Sequence, residues 1–124
     1  NSINIYLYDP CYQKFSSFPK KKSDITISTD VLEHIPEEDL HIIVKELFML
    51  TNKVLFISVP TYLSNEYFIN KLNSHPTVQN QKWWSEKIKN IHKSFDSVDW
   101  YLVYRFNSKT GRQNRIISNT QANI

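Results

Sequence analysis

The sequence predicts an α/β domain with a mostly parallel sheet and a terminal antiparallel hairpin. Residues 24–29 form a β-branched run, an amphipathic helical pattern follows, and residues 53–60 form a near-continuous apolar run. A strand, a helix and a strand at this spacing make a βαβ unit, whose two strands are parallel. Residues 100–106 and 112–118 alternate around a short turn, which predicts the hairpin.

The first two predicted strands lie before the helix. Residues 3–10, "INIYLYDP", are rich in β-branched and aromatic residues and end in Asp-Pro, so they predict a first strand closed by a turn. Residues 11–23 show no lasting periodicity and are expected to be a connection with at most one helical turn. Residues 24–29, "DITIST", alternate and predict the second strand.

The helix after the second strand has the clearest pattern in the chain. Pro36 suits a first helical turn, and the acidic residues 37–39 suit the positive end of the helix dipole. Apolar residues then recur at helical spacing: Leu40, Ile43, Val44, Leu47 and Phe48. Asn52 is expected to cap the helix in the left-handed conformation, and residues 53–60 to form a strand buried on both faces.

The segment after that strand is expected to cover the carboxyl edge of the sheet. Residues 61–80 mix aromatic and amide side chains, which predicts a loop with a short helix. Such a loop would bring Tyr62 and His75 to an acceptor. A second helix is predicted from about residue 80, with an apolar stripe of Trp84, Ile88, Ile91 and Phe95. Trp83 lies off that stripe, so it either stacks on an acceptor ring or packs against the helix.

Composition excludes several classes of site. One cysteine rules out an intramolecular disulfide and multi-cysteine metal sites, and one glycine rules out a glycine-rich nucleotide loop within these residues. No apolar run is long enough to span a membrane, so a cytoplasmic protein without a membrane partner is expected. The net charge of +3 permits an anionic partner without requiring one.

The stretch "DITISTDVLEHIPEEDL", with the later "VLFISVPT" and "HPTVQNQKWW" and the closing hairpin, resembles class I S-adenosylmethionine-dependent methyltransferases. The resemblance covers about the last two-thirds of such a domain and implies a Rossmann-like methyltransferase fold over residues 1–124. The first strand and the glycine-rich turn of the family have no counterpart here. The resemblance therefore implies a single domain truncated at its N-terminal end.

The resemblance also implies which residues bind the cofactor, S-adenosylmethionine. Asp9 matches the acidic residue that ends a family strand and accepts hydrogen bonds from the ribose, and a carboxylate can accept both hydroxyls. Asp30 would border the methionine portion, with backbone groups of Thr29 and Val31 beside it. The methyl acceptor, a small molecule or a nucleic acid, is not identified.

Glu33 and His34 are expected to face the acceptor. Methyl transfer needs alignment of donor and acceptor and one base for a hydroxyl or amine acceptor. His34 is the candidate catalytic base because imidazole titrates near neutral pH. Two other roles for His34 stay open: positioning the acceptor, and bonding only to neighbouring backbone.

A metal site is a further alternative. One branch of the family, the metal-dependent enzymes that methylate the terminal 2′-hydroxyl of small RNAs, carries an "ExxEH" pattern. "DVLEH" places Asp30, Glu33 and His34 at that spacing, and His75 follows in the loop. These four residues could hold Mg²⁺ or Mn²⁺.

A rival interpretation comes from a different class of protein. A sheet without the family's central first strand would expose strand edges, and exposed edges pair with other chains. The chain could then be a non-catalytic remnant that acts as an oligomerisation or interaction module. A homo-oligomer formed through the sheet edges is expected in that case.

Overall fold

The computed structural model describes residues 2–120 and shows a four-stranded mixed sheet with two α-helices. The elements in chain order are β1 Ser23–Thr29, α1 Leu40–Met49, β2 Thr51–Pro60, α2 Gln81–His92, β3 Asp99–Ser108 and β4 Gly111–Ser118. Two 3₁₀ turns accompany them, Gln13–Phe15 and Leu32–His34. Within residues 2–120, neither helix combines the length and the apolar character that a bilayer crossing needs. The prediction of an α/β fold with a mostly parallel sheet is confirmed.

The strands lie in sequence order across the sheet, β1-β2-β3-β4. The β1–β2 and β2–β3 pairs are parallel and the β3–β4 pair is antiparallel, which confirms the predicted βαβ unit and the terminal hairpin. In the register, Ile27 lies beside Phe56, and Phe56 lies beside Tyr101. The parallel strands therefore end at a common edge, where Thr29 and Pro60 are the last residues of β1 and β2.

Both helices pack on one face of the sheet. Strand residues on that face are buried: Leu55, Ile57, Val59, Trp100 and Leu102. The helices contribute Leu40, Val44, Phe48, Trp84, Ile88 and Ile91 to the same core cluster. Each of these side chains contributes about 1.5–3 kcal/mol by leaving water, so this single layer supplies most of the stability.

The opposite face of the sheet carries apolar side chains without a helix over them. Ile25 is 58% exposed and Ile27 is 66% exposed, and Val54 and Phe56 on β2 are half-buried. The expectation that β2 is buried on both faces was wrong. The helices cover only one of its two faces. We call the set Ile25, Ile27, Val54 and Phe56 the open face.

The predicted first strand is absent from the sheet. Residues 3–8 form no strand, and Ile3 and Ile5 are 88% and 78% exposed. The local pattern suits a strand, but a strand exists only when it pairs, and within residues 2–120 β1 has β2 as its one neighbour. Asp9 consequently lies in a turn, where its Oδ1 accepts the backbone N–H of Cys11 at 2.9 Å.

The helix ends differ in detail from the expectation. The predicted left-handed cap at Asn52 was wrong: α1 ends at Met49, Leu50 keeps a right-handed conformation, and Asn52 lies inside β2. The hydroxyl of Thr51 donates to the carbonyl of Leu47 at 2.7 Å and so satisfies a carbonyl of the last turn. At α2, Asn80 caps the helix by accepting the backbone N–H of Trp83 at 3.0 Å.

Candidate functional site

A sharp change of direction at the end of β1 creates the site. Asp30 follows the strand with φ of 56°, a left-handed conformation that aspartate tolerates better than most residues. Its backbone N–H still bonds the carbonyl of Ser58 on β2 at 3.1 Å. The chain then enters the 3₁₀ turn Leu32–His34, in which Leu32 is buried in the core and Glu33 is buried beside it.

A cavity of about 290 Å³ lies at this carboxyl edge of the parallel strands. Its lining includes five residues that the sequence nominated: Asp30, Glu33, His34, Tyr62 and His75. In open α/β sheets the carboxyl ends of the strands are the usual place for ligands. The predicted grouping of the acidic and imidazole residues in one cavity is therefore observed.

Glu33 is the most unusual residue in this cavity. Its residue exposure is 1%, and its Oε2 has no hydrogen-bond partner within the described chain. Removal of the carboxyl from water is the main cause that raises the pKa of Glu33 above its ordinary value. A buried charge without a partner costs several kcal/mol, so this oxygen is suited to a proton or a cation.

Two histidines present the same type of atom beside Glu33. His34 donates its Nδ1–H to the carbonyl of Ser74 at 2.6 Å, and His75 donates its Nδ1–H to the carbonyl of Tyr62 at 3.0 Å. A carbonyl only accepts, so both Nδ1 atoms carry the proton, and in the neutral rings both Nε2 atoms keep a lone pair. The two rings meet edge to face with centroids 4.9 Å apart.

The pairing of His34 with Glu33 requires a positive charge between them. His34 Nε2 lies 3.8 Å from Glu33 Oε1. A lone pair and a carboxylate oxygen repel each other unless a proton or a metal ion joins them. The arrangement therefore has two satisfied forms, a protonated one and a metal-bound one.

Glu33, His34 and His75 can together coordinate a metal. Each offers one ligand atom, and these atoms all lie within 4.8 Å of one another. Metal bonds of about 2.1 Å at the tetrahedral angle place two ligand atoms about 3.4 Å apart, so the ligand atoms that lie farthest apart need to close by roughly 1 Å or more. The fourth predicted ligand, Asp30, is not in this group, because its Oδ1 pairs with Nη2 of Arg105.

The loop that carries His75 is held by side-chain bonds that the sequence did not reveal. Asn73 accepts the backbone N–H groups of Ser64 and His75 at 3.0 and 2.9 Å, and Thr77 donates to the carbonyl of Ile35 at 2.7 Å. The short helix expected in residues 61–80 is absent; the segment is irregular up to α2. Asn73 and Thr77 look like ordinary loop residues in a single sequence, so no signal marked them.

Four nominated residues lie outside the cavity lining. Asp9 and Trp83 do not line the cavity, and Thr29 ends β1 without joining the lining. Trp83 packs edge to face on Trp84 with centroids 5.1 Å apart and takes the Nζ of Lys87 over its ring. Val31 is also outside the lining, as the residue that precedes the 3₁₀ turn.

Two arginines in the lining were not predicted. Arg105 on β3 pairs with Asp30, and Arg112 on β4 lies over the ring of Tyr62 at 5.1 Å. They reach the cavity because β3 and β4 pair in a particular register, with Arg112 opposite Asn107. Long-range register of this kind leaves little local trace in a sequence.

Fold and site together define an α/β domain with a carboxylate and two imidazoles gathered at the carboxyl edge of parallel strands. No family model, curated protein or solved structure matches the chain. What the site can do therefore follows from its own atoms: it can bind a proton or a divalent cation beside a small open cavity.

Glu33→Gln tests the buried charge in the chelated, metal-free chain. Because the pKa of Glu33 is raised in the folded state, the folded chain holds this proton more tightly than the unfolded chain does. The free energy of unfolding then falls as the pH rises from about the ordinary value of 4.5 through the raised pKa. Urea unfolding at several pH values should show Glu33→Gln more stable than the wild type at pH 8, with a flatter pH profile.

Glu38→Gln is the matched control, because Glu38 is exposed just before α1. It should leave the slope of stability against pH close to that of the wild type. A Glu33→Gln chain less stable than the wild type at pH 8 contradicts the assignment of a destabilising buried charge.

Proposed function

We propose that the chain forms the acceptor side of an S-adenosylmethionine-dependent methyltransferase site in which Glu33, His34 and His75 hold a divalent cation. The observation that carries the proposal is the buried Glu33 carboxylate grouped with two imidazoles whose Nδ1 atoms bond backbone carbonyls. The resemblance carried by "DVLEHIP" supplies the methyl-transfer part. The sequence left several roles open for these residues. Of those roles, metal binding explains the largest number of the contacts observed in the cavity.

The ligand set favours a borderline metal ion. Imidazole suits Zn²⁺ and Fe²⁺, carboxylate and water suit Mn²⁺, and Mg²⁺ prefers an all-oxygen set in which it keeps several waters. Both histidines already donate Nδ1–H to backbone carbonyls, the outer contact that metal-bound histidines usually make. We therefore assign Mn²⁺ or Zn²⁺ to the site in preference to Mg²⁺.

A cation at this position would activate the acceptor, the role for which the sequence suggested His34 as a base. A metal ion lowers the pKa of a bound hydroxyl and so removes the need for a strong protein base. His34 is then a ligand, and its Nε2 is not free to take the acceptor proton. The acceptor that fits this chemistry carries a hydroxyl group, as a small molecule or a nucleic acid does.

The cofactor would supply an activated methyl group on its sulfonium. Asp30 is half-exposed at the strand end, and with backbone groups of Thr29 and Val31 it would hold the methionine portion. The cavity of about 290 Å³ is at the lower end for small-molecule sites, about 300–1,000 Å³, so it suits the acceptor and the reactive end of the cofactor. The ribose role of Asp9 stays a prediction.

Three successive parallel strands, as in the outer half of a doubly wound sheet, support a Rossmann-like origin.

His75→Ala tests the metal site. Losing one of three protein ligands should weaken Mn²⁺ binding at least tenfold, measured by titration calorimetry with electron paramagnetic resonance of free Mn²⁺ as a second readout. His41→Ala, an exposed histidine on α1, is the matched control and should bind Mn²⁺ as the wild type does. Equal Mn²⁺ affinity in His75→Ala and wild type, with both chains folded, contradicts the proposal.

A second candidate function is supported by the open face. Ile25 and Ile27 leave apolar surface in water on β1, whose outer edge has no strand partner within residues 2–120. Unpaired edges and contiguous apolar patches are typical of association surfaces. The occupant we propose is a second copy of this chain, which would make the chain a self-associating interaction module.

Ile27→Lys separates this candidate from the first. If the open face forms a dimer, a charge at Ile27 should convert the dimer to a monomer in light scattering coupled to gel filtration. Ile42→Lys on α1, where Ile42 is 58% exposed, is the matched control and should leave the mass unchanged.

Titration with S-adenosylhomocysteine completes the comparison. Micromolar binding supports the methyltransferase, whereas a stable dimer with no binding at millimolar ligand supports the interaction module. A wild-type monomer at high concentration contradicts self-association directly.

A further inference from the structure

The hairpin contributes two cationic side chains to the cavity that holds Glu33, His34 and His75. Arg105 on β3 and Arg112 on β4 both line it. Arg112 lies opposite Asn107, two positions along β3 from Arg105, so both arginines project from the same face of the hairpin. The cavity therefore has a basic wall next to the candidate metal ligands.

Arg105 has an unused donor in this wall. One of its terminal nitrogens pairs with Asp30, but its Nε is buried and has no acceptor within the described chain. A buried N–H without an acceptor costs about 1–3 kcal/mol and calls for a ligand or an ion as its partner. The pair with Asp30 uses a terminal nitrogen of Arg105, so Nε is the donor suited to an added oxygen.

Arg112 supplies the second positive charge of this wall. Its guanidinium lies over the ring of Tyr62 at 5.1 Å, and among residues 2–120 it forms no ion pair with a carboxylate. A guanidinium over an aromatic ring is attracted to the ring and can still donate its N–H groups to a ligand. The backbone carbonyl of Tyr62 accepts the Nδ1–H of His75, so Arg112 and His75 both contact Tyr62.

The charge balance of the cavity favours an anion once a metal is bound. Three carboxylates line it, on Asp30, Glu33 and Glu66. Asp30 is neutralised by Arg105, and Glu33 is used by the cation. A divalent ion together with Arg105 and Arg112 outweighs the three carboxylates, so the loaded cavity attracts negative charge.

We propose that the acceptor carries an oxyanion group, a phosphate or a carboxylate, and that Arg112 with Arg105 Nε binds this group beside the metal-bound hydroxyl. The inference rests on the proposed function, because the hydroxyl is placed by the metal. Arginine matches oxyanions through paired N–H donors in one plane, so the group fixes orientation as well as affinity. Arg112 is a specificity-determining residue in this scheme.

Arg115 is the residue to compare with Arg112 in order to separate a binding role from a purely structural one. Arg115 lies on the same strand and also stacks on an aromatic ring, that of Phe106 at 5.4 Å. Arg115 is not in the cavity lining, because it lies an odd number of residues from Arg112 and projects from the other face. Stacking stability is thus common to both arginines, and only Arg112 has the cavity in reach.

The test uses the full chain loaded with Mn²⁺ and two probes, sulfate as a tetrahedral oxyanion and acetate as a planar one. Calorimetry should detect one of them at millimolar or tighter affinity in the wild type. Arg112→Gln should weaken that binding at least tenfold and leave Mn²⁺ affinity within twofold. Arg115→Gln should leave both affinities within twofold. Tighter sulfate binding assigns a phosphate-bearing acceptor, and tighter acetate binding assigns a carboxylate-bearing one.

The results that contradict this inference differ from those that contradict the proposed function. Wild-type chain that binds Mn²⁺ but neither probe overturns this inference and leaves the proposed function standing. Equal losses in Arg112→Gln and Arg115→Gln overturn it too, since binding would then be general surface attraction. Wild-type chain that does not bind Mn²⁺ at the three ligands overturns the proposed function itself.

Discussion

The burial of one carboxylate, that of Glu33, constrains the rest of the site. Its neighbour Leu32 is fully buried in the core, so the 3₁₀ turn cannot rotate Glu33 out to water without exposing Leu32. An ionised carboxylate in such a place costs several kcal/mol unless positive charge offsets it. A structure that keeps this residue therefore needs a proton on the Glu33 carboxyl or a cation beside it.

The fold supplies the geometry by simple means. A parallel βαβ unit brings the ends of β1 and β2 to one edge, and the left-handed turn at Asp30 sends the chain across that edge. The loop after β2 returns His75 to the same place, and its backbone is held by the side chain of Asn73. Backbone carbonyls accept the Nδ1–H groups of both imidazole rings and so fix the orientation of the rings.

Local patterns predicted the elements that depend on local physics. The spacing of apolar residues located α1 and α2, and β-branched runs located β1 and β2, because helix faces and pleated strands impose those periods directly. Residues 3–8 had an equally good strand pattern and failed, since a strand also needs a neighbour that a short window cannot show. Asn52 failed for a related reason: the hydroxyl of Thr51 satisfied the helix end instead.

The same distinction between local and long-range information applies to the residues of the site. Glu33, His34 and His75 were foreseeable from their position after strands that share an edge. Arg105 and Arg112 were not, because their place depends on the β3–β4 register and on the distance between hairpin and loop. They add two positive charges to a cavity that three carboxylates line.

The central claim, that Glu33, His34 and His75 form a metal site, is tested most directly by anomalous diffraction from crystals grown with Mn²⁺. The account predicts one strong peak at about 2.0–2.3 Å from a Glu33 carboxylate oxygen and from both Nε2 atoms. A well-ordered site without that peak at saturating Mn²⁺, or a peak bound only to other residues, would contradict it.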